Sequence, residues 1–381
     1  MEKRAENAEF DIGSVDPNLA VKSKNGEEVV WFNLKDEPVR LYGVMRNAAD
    51  TSYVRMPESI FEKIDNEGAR AMNERPAGGR ARFSTDSPYI ALRCAYSKLT
   101  EFPHMPPTGV TGFDLYCDTE EGSLFDLTFS PDIHGDKGFE TEARHVKNTG
   151  LRYWTINFPL YNRLDEVWIG LKPGSRFGPG KEYSRKGKIL FYGSSITQGG
   201  CASRPGNAFT SMVARWLDMD HVNLGFSGSG LAEVEMMEYV ASLHPEIFVY
   251  DYDHNAPDLA HLEKTHRRGF EIFRRENPDA PVIFVSAPGW KWTGMNRVDR
   301  NGKDMPEAPF RRDLIWKNYR DAWNAGDRNV YFVDGNSFFA YPDRDACTVD
   351  CGHPNDLGMY RIAEKLYDAV VSILRIREMN S

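Results

Sequence analysis

The stretch "ILFYGSSITQGGCASRPG", residues 189–206, starts as an apolar run suited to a buried strand and then breaks into glycine, serine and threonine. A strand that belongs in a core gains nothing by ending in three hydroxyls, Ser194, Ser195 and Thr197, unless its end lies at an edge where they are used. A phosphate-cradling loop is disfavoured, because no Lys follows the glycines and the spacing is not G-x-x-x-x-G-K-[ST]. The plain alternative is a strand-to-helix connection in which a serine caps the helix.

Four further apolar runs follow: "HVNLGF" (221–226), "EIFVYDYD" (246–253), "PVIFVSAPG" (281–289) and "NVYFVDG" (329–335). Amphipathic stretches stand between and after them: "AFTSMVARWLDM", "AEVEMMEYVASLH", "LEKTHRRGFEIFRREN", "FRRDLIWKNYRDAWNAGD" and "DLGMYRIAEKLYDAVVSILRIRE". Alternating strand and helix predicts an α/β domain, a parallel sheet covered on both faces through right-handed crossovers. Ligands of such sheets bind at the carboxyl ends of the strands, which places the hydroxyl-rich turn at a site edge.

Upstream the period changes. "ARFSTDSPYIALRCAY", "GFDLYCDTEEGSLFDLTF" (two strands joined at Glu121-Gly122), "TGLRYWTINFPL" and "LDEVWIGLKPG" are short β-type runs, as in an antiparallel β-sandwich. Only "MPESIFEKIDNEGARAMNERPAGG" resembles a helix there, and "FGPGKEYSRKGK" reads as a linker. The expected division is a β-sandwich domain over 1–185 and an α/β domain over 186–381.

The 381 residues, 41% of them apolar and 27% charged, suit two globular domains, and the net charge of −9 with scattered basic residues disfavours nucleic acid. No run reaches the roughly 18 apolar residues of a membrane span, and "MEKRAENAEF" is charged where a signal peptide would be apolar. The compartment expectation is cytoplasmic by default, periplasmic or secreted where a leader has been removed. Cys94, Cys117, Cys201, Cys347 and Cys351 form no C-x-x-C pair, so neither a metal site nor a disulfide framework is expected from their spacing.

Three loops, at Gly193-Ser194-Ser195, "NLGFSGSG" and "DYDHNA", follow successive strands to one sheet edge, and "VDCGHPNDLG" follows the last strand. A serine hydroxyl needs a neighbouring base, and histidine titrates near neutral pH. Asp350 and His353 are three apart, so one loop can supply the base and the carboxylate that fixes its tautomer. The backbone N–H of Ser195, the N–H of Gly228 and the side-chain amide of Asn255 can face a developing oxyanion.

Block by block, residues 186–378 resemble the SGNH hydrolases, or GDSL-type esterases and lipases. "GSSIT" is similar to the family's G-D-S-[IL]-T turn, "NLGFSGSG" to N-x-G-x-S-G, "DYDHNA" stands for G-x-N-D, and "DCGHPNDLG" is similar to D-x-x-H-P-N. The resemblance implies a flavodoxin-like three-layer α/β/α sandwich behind a jelly-roll-like β domain, the layout of a two-domain bacterial branch similar to carbohydrate acetylesterases. It implies Ser195 as nucleophile, His353 as base, Asp350 as its orienter, and Ser195, Gly228 and Asn255 as oxyanion donors. Two positions depart from the pattern: Ser194 replaces the Asp of the first block, and Asp253, His254 and Ala256 surround Asn255.

The expected activity is hydrolysis of a small acyl ester, such as acetyl, on a carbohydrate, with no cofactor and no metal. An acyltransferase or a lipase or thioesterase would use the same residues; a non-catalytic carbohydrate-binding protein is the alternative of another class. The expected partner is a small-molecule or oligosaccharide ester, and oligomeric state is not legible. Arg204, His254, Trp290 and Trp292 are candidate substrate-binding residues, weighed against a solvated loop arginine, a structural histidine and a packed aromatic loop.

Overall fold

The computed structural model describes residues 27–135, 137–146, 150–288, 308–339 and 344–380. In the first half, strands Val30–Asn33, Glu166–Leu171, Tyr89–Ala95 and Arg144–His145 form one antiparallel sheet, with Gly138–Glu140 also on Tyr89–Ala95. Strands Phe177–Pro179, Arg80–Thr85, Arg152–Asn157, Phe113–Thr119 and Gly122–Phe129 form a second, with Arg40–Tyr42 also on Arg80–Thr85. Alternate residues point to opposite faces of a strand, and the inward set is apolar in both sheets. Ile90, Leu92, Val167 and Ile169 of one meet Ala81, Phe83, Phe113, Leu115, Trp154 and Ile156 of the other in a single core. This is the β-sandwich.

The hairpin turns at Glu120-Glu121, since Thr119 pairs with Gly122. The expected helix over residues 56–79 shrinks to Glu67–Asn73, capped by the Asn66 side chain accepting from the Ala69 N–H at 2.9 Å, after a single turn at Glu58–Ile60. This segment leaves the sandwich: Met56, Phe61, Ile64 and Ala69 belong to a core cluster on the parallel sheet.

That sheet contains Arg185–Gly193, Met219–Gly225, Ile247–Asp251, Val282–Val285 and Val330–Val333 in the spatial order second, first, third, fourth, fifth, every neighbouring pair parallel. Ile189 and Phe191 face helices Phe209–Leu217 and Asp356–Asn380, while Leu190 and Tyr192 face Val234–Ser242, Leu259–Glu276 and Ala308–Asn324. Ile189–Tyr192, Ile247–Tyr250 and Val282–Val285 are buried on both faces and read as continuous apolar runs, whereas the edge strand Met219–Gly225 carries Asp220, His221 and Asn223. The fold is a three-layer α/β/α sandwich, as expected. Among the described residues no helix is long and apolar enough to cross a membrane.

The register sets up the site. Gly193 pairs with Gly225 on one side and with Asp251 on the other, so three strands end in one row. The chain leaves the first strand in one direction and the third in the other, and the crevice between such connections opens at that row.

Candidate active site

At this row Gly193 has no room for a side chain: a Cβ would lie 2.1 Å from the Asp251 carbonyl oxygen and 2.2 Å from Thr197 Oγ1. The next residues turn into the short helix Ser195–Gln198. Ser194, at the position of the usual Asp, closes the turn as a helix cap: its Oγ accepts from the Ile196 N–H (3.2 Å), and Thr197 Oγ1 accepts from the Ser194 N–H (3.2 Å). Thr197 then donates its own hydroxyl to Asp251 Oδ2 at 2.9 Å. The brace that one Asp would supply is here divided among Ser194, Thr197 and the neighbouring strand's Asp251. Burial, with the charge of Asp253 added, pushes the Asp251 carboxyl up to about 7 despite the Thr197 hydrogen bond.

This turn presents Ser195 to the loop before the C-terminal helix. That loop is closed by a Thr348–Pro354 bridge, and the Val349 N–H donates to the His353 carbonyl at 2.9 Å. Within it Asp350 Oδ1 accepts from the N–H groups of Gly352 (2.9 Å) and His353 (2.6 Å), and Asp350 Oδ2 lies 2.8 Å from His353 Nδ1. Partial burial would raise the Asp350 carboxyl, but the hydrogen bonds from the His353 backbone and ring outweigh it and hold it below its ordinary value. A carboxylate only accepts, so the ring hydrogen sits on Nδ1 and Nε2 carries a lone pair. His353 Nε2 lies 2.9 Å from Ser195 Oγ.

Of the oxyanion candidates, Asn255 is tied to Phe226. Its carbonyl accepts from the Ser229 N–H (2.9 Å), the Gly230 N–H (3.1 Å) and Asn255 Nδ2 (2.7 Å). One amide hydrogen of Asn255 is thereby fixed, leaving the second to point elsewhere. Gly228 takes the left-handed conformation, φ +69°, that glycine adopts without strain. Among the described residues neither the Ser195 N–H nor the Gly228 N–H donates to a backbone or side-chain acceptor. His254 is on the same single turn as Asn255 and is partly exposed, whereas Asp253 is buried, its Oδ2 accepting from the Ala287 N–H at 2.8 Å.

Arg204 is engaged in a different way from a substrate ligand. Its guanidinium donates to Asp114 Oδ2 at 2.9 Å and to the Tyr116 hydroxyl, and lies 3.9 Å from the centre of the Phe125 ring. Asp114, fully buried, also accepts from the Gly206 N–H (2.7 Å) and Asn157 Nδ2 (2.8 Å). Arg204 therefore pins the loop after the serine turn to the sandwich. Trp290 and Trp292 lie outside the described residues.

Several positioning residues escaped the sequence reading because they act between the halves. The Tyr161 hydroxyl donates to the Ser195 carbonyl (3.2 Å). Buried Gln198 donates to the Leu160 carbonyl (3.0 Å) and accepts from the Ser227 N–H (3.0 Å), linking the serine helix to the Gly228 loop. Arg55, from the first half, donates to the carbonyls of Asn223 and Met72, and burial lowers its guanidinium to about 9. The signal for Asp114 and Tyr116 was present in "GFDLY", where they alternate with the core residues Phe113 and Leu115 and so fall on the strand's other face.

Residues 186–372 match the model of the GDSL-like lipase/acylhydrolase family, and residues 29–177 match that of the N-terminus of SGNH-hydrolase-type esterases, whose G-x-D-L-Y label corresponds to Gly112–Tyr116. The chain belongs to the GDSL-like lipase/acylhydrolase family, as an ester hydrolase of the SGNH type. Among solved structures it is similar to a Bacteroides ovatus ATCC 8483 protein described as a GDSL-like lipase (24% identity, TM-score 0.80, 91% of this chain and 98% of that one). It is also similar to the salicylyl-acyltransferase SsfX3 from a tetracycline biosynthetic pathway (18%, 0.68, 91% and 98%). A family two carbohydrate esterase from Clostridium thermocellum, in complex with cellohexaose, aligns at 17% identity and TM-score 0.56 over 78% of this chain and 93% of that one. At these identities the likeness is one of fold. No curated protein sequence matches the chain.

Proposed function

We propose that the protein hydrolyses a small acyl ester, acetyl foremost, carried on a carbohydrate. The observation that carries the chemistry is the continuous chain Asp350 Oδ2, His353 Nδ1, His353 Nε2, Ser195 Oγ, with links of 2.8 and 2.9 Å. As Ser195 Oγ attacks the ester carbonyl, its proton passes to His353 Nε2, and Asp350 stabilises the imidazolium that forms. The tetrahedral oxyanion is met by the N–H groups of Ser195 and Gly228 and the amide of Asn255. His353 then protonates the leaving alcohol, takes a proton from water, and the hydroxide so formed releases the acid from Ser195. No step draws on a metal or an organic cofactor.

The carbohydrate assignment is supported by the two-part layout shared with a carbohydrate esterase seen with an oligosaccharide. The test is release of acid from p-nitrophenyl acetate, longer p-nitrophenyl esters and acetylated oligosaccharides by wild type and Ser195→Ala. Hydrolysis falls on the order of ten-thousand-fold or more in the variant, and persistence of acetate release refutes the assignment. Preference for long chains refutes the small acyl group.

Acyl transfer is the second reading, favoured by the fold shared with an acyltransferase. Product analysis with an added alcohol acceptor separates the two: transfer gives a new ester, hydrolysis gives acid alone.

A further inference from the structure

Three metal-ligating side chains meet beside Ser195. His104 comes from the sandwich half, Cys201 from the loop after the serine turn and His353 from the C-terminal loop, with one donor atom of each within 4.8 Å of the other two. The His104 and His353 rings are 5.7 Å apart between centres. Cys201 is buried and the two histidines are partly exposed, so the cluster opens toward solvent on the imidazole side.

Two imidazoles and a thiolate suit a borderline-soft divalent ion, tetrahedral zinc above all. His353 is already arranged as a ligand. Metal-bound histidines commonly donate the other ring N–H to a carboxylate, which orients the ring and strengthens the donor. The Nδ1 contact with Asp350 at 2.8 Å has that form, and it leaves the lone pair on Nε2, where an ion would compete with the Ser195 hydroxyl 2.9 Å away.

We propose that His104, Cys201 and His353 form an inhibitory zinc site, in which the ion occupies the imidazole lone pair that would otherwise take the Ser195 proton. The inhibition rests on His353 being the base. On binding, the Cys201 thiol gives its proton to solvent, both imidazoles stay neutral, and a water or Ser195 Oγ completes four-coordination. Zn–N bonds of about 2.0 Å and Zn–S bonds of about 2.3 Å put tetrahedral donors roughly 3.3–3.6 Å apart. From a separation of up to 4.8 Å the cluster therefore has to close by as much as about 1.2–1.5 Å, a movement that side-chain rotation at the partly exposed His104 helps to supply.

The experiment uses the full chain, titrated with zinc chloride while p-nitrophenyl acetate turnover is followed. Micromolar zinc is expected to inhibit, and EDTA to restore activity. Cys201→Ser and His104→Asn are expected to turn over normally without zinc and to need at least about tenfold more zinc for the same inhibition. Cobalt chloride added to Ser195→Ala gives a thiolate-to-cobalt absorption band in the near ultraviolet, which is lost when Cys201→Ser is added. Equal zinc inhibition of wild type and both single variants overturns the site, as does absence of the cobalt band. Turnover that survives His353→Asn overturns the base assignment, and with it the inhibition, whatever the cobalt spectrum shows.

Discussion

Asp251→Asn tests the electrostatics beneath the serine turn. The carboxyl is buried, its charge is opposed by burial first and by Asp253 second, and it titrates near 7 in the folded chain against 3.8 for an unburied aspartate. Between these values the folded state binds the proton that the unfolded state has lost. Stability therefore falls as pH rises from about 4 through 7, and the penalty is complete above that. A difference of about three units corresponds to roughly 4 kcal/mol. With an unfolding entropy of roughly 2 cal/mol/K per residue over this chain, that is about 5 °C in melting temperature. Asparagine keeps the shape and an oxygen for the Thr197 hydroxyl but carries no charge. The variant is therefore expected to melt about 5 °C above wild type near pH 8, and only about 1 °C above it near pH 4.5. Thermal melts by circular dichroism across that range read the difference directly. A pH-independent offset, or a variant less stable than wild type near pH 8, refutes the reasoning.

Asn255→Ala removes an amide whose one hydrogen is fixed on the Phe226 carbonyl, and kcat should fall on the order of a hundredfold or more while KM changes little, measured on p-nitrophenyl acetate. Asp114→Asn or Arg204→Met alone leaves a buried partner uncompensated and should cost about 3 kcal/mol in urea unfolding. The double variant should cost less than the sum by about 2 kcal/mol, and simple additivity would show that the pair is not coupled. Gly193→Ala would drive a Cβ to 2.1 Å from the Asp251 carbonyl oxygen, and its far-ultraviolet spectrum and activity should both be lost.

The α/β layer was legible because a strand buried on both faces must be apolar throughout and a covering helix must be amphipathic; both signals are local. "ILFYG" and "EIFVYDYD" therefore marked their strands, and the loops after them and after "HVNLGF" carry Ser195, Asn255 and Gly228. The contact between Ser195 and His353 spans 158 residues, and sequence supported it only through motif order. What stayed hidden depends on how the halves dock. Tyr161 on the Ser195 carbonyl, Gln198 between Leu160 and Ser227, and His104 beside His353 have no local pattern. Arg204 stood near the serine turn in sequence and read as a candidate substrate ligand or a solvated loop arginine, but its guanidinium is held by the buried Asp114 carboxylate. The strand order of the sandwich was equally silent, since Glu166–Leu171 lies between Val30–Asn33 and Tyr89–Ala95.

Met56, Phe61 and Ile64 lie against the layer formed by the second half rather than within their own sandwich. The stretch read as a linker is in fact strand at both ends, Phe177–Pro179 in the sandwich and Arg185 onward in the parallel sheet, so the true connection is short. Each large apolar side chain kept from water contributes roughly 2 kcal/mol, so severing the chain at this linker would strip on the order of 6 kcal/mol from the partner that retains the serine. The linker is thus a poor place to cut when building chimaeras: a transplanted C-terminal portion would need either its native front portion or replacement residues for this borrowed patch. Modular exchange in such a chain is constrained by a hydrophobic debt that the peptide connection alone does not reveal.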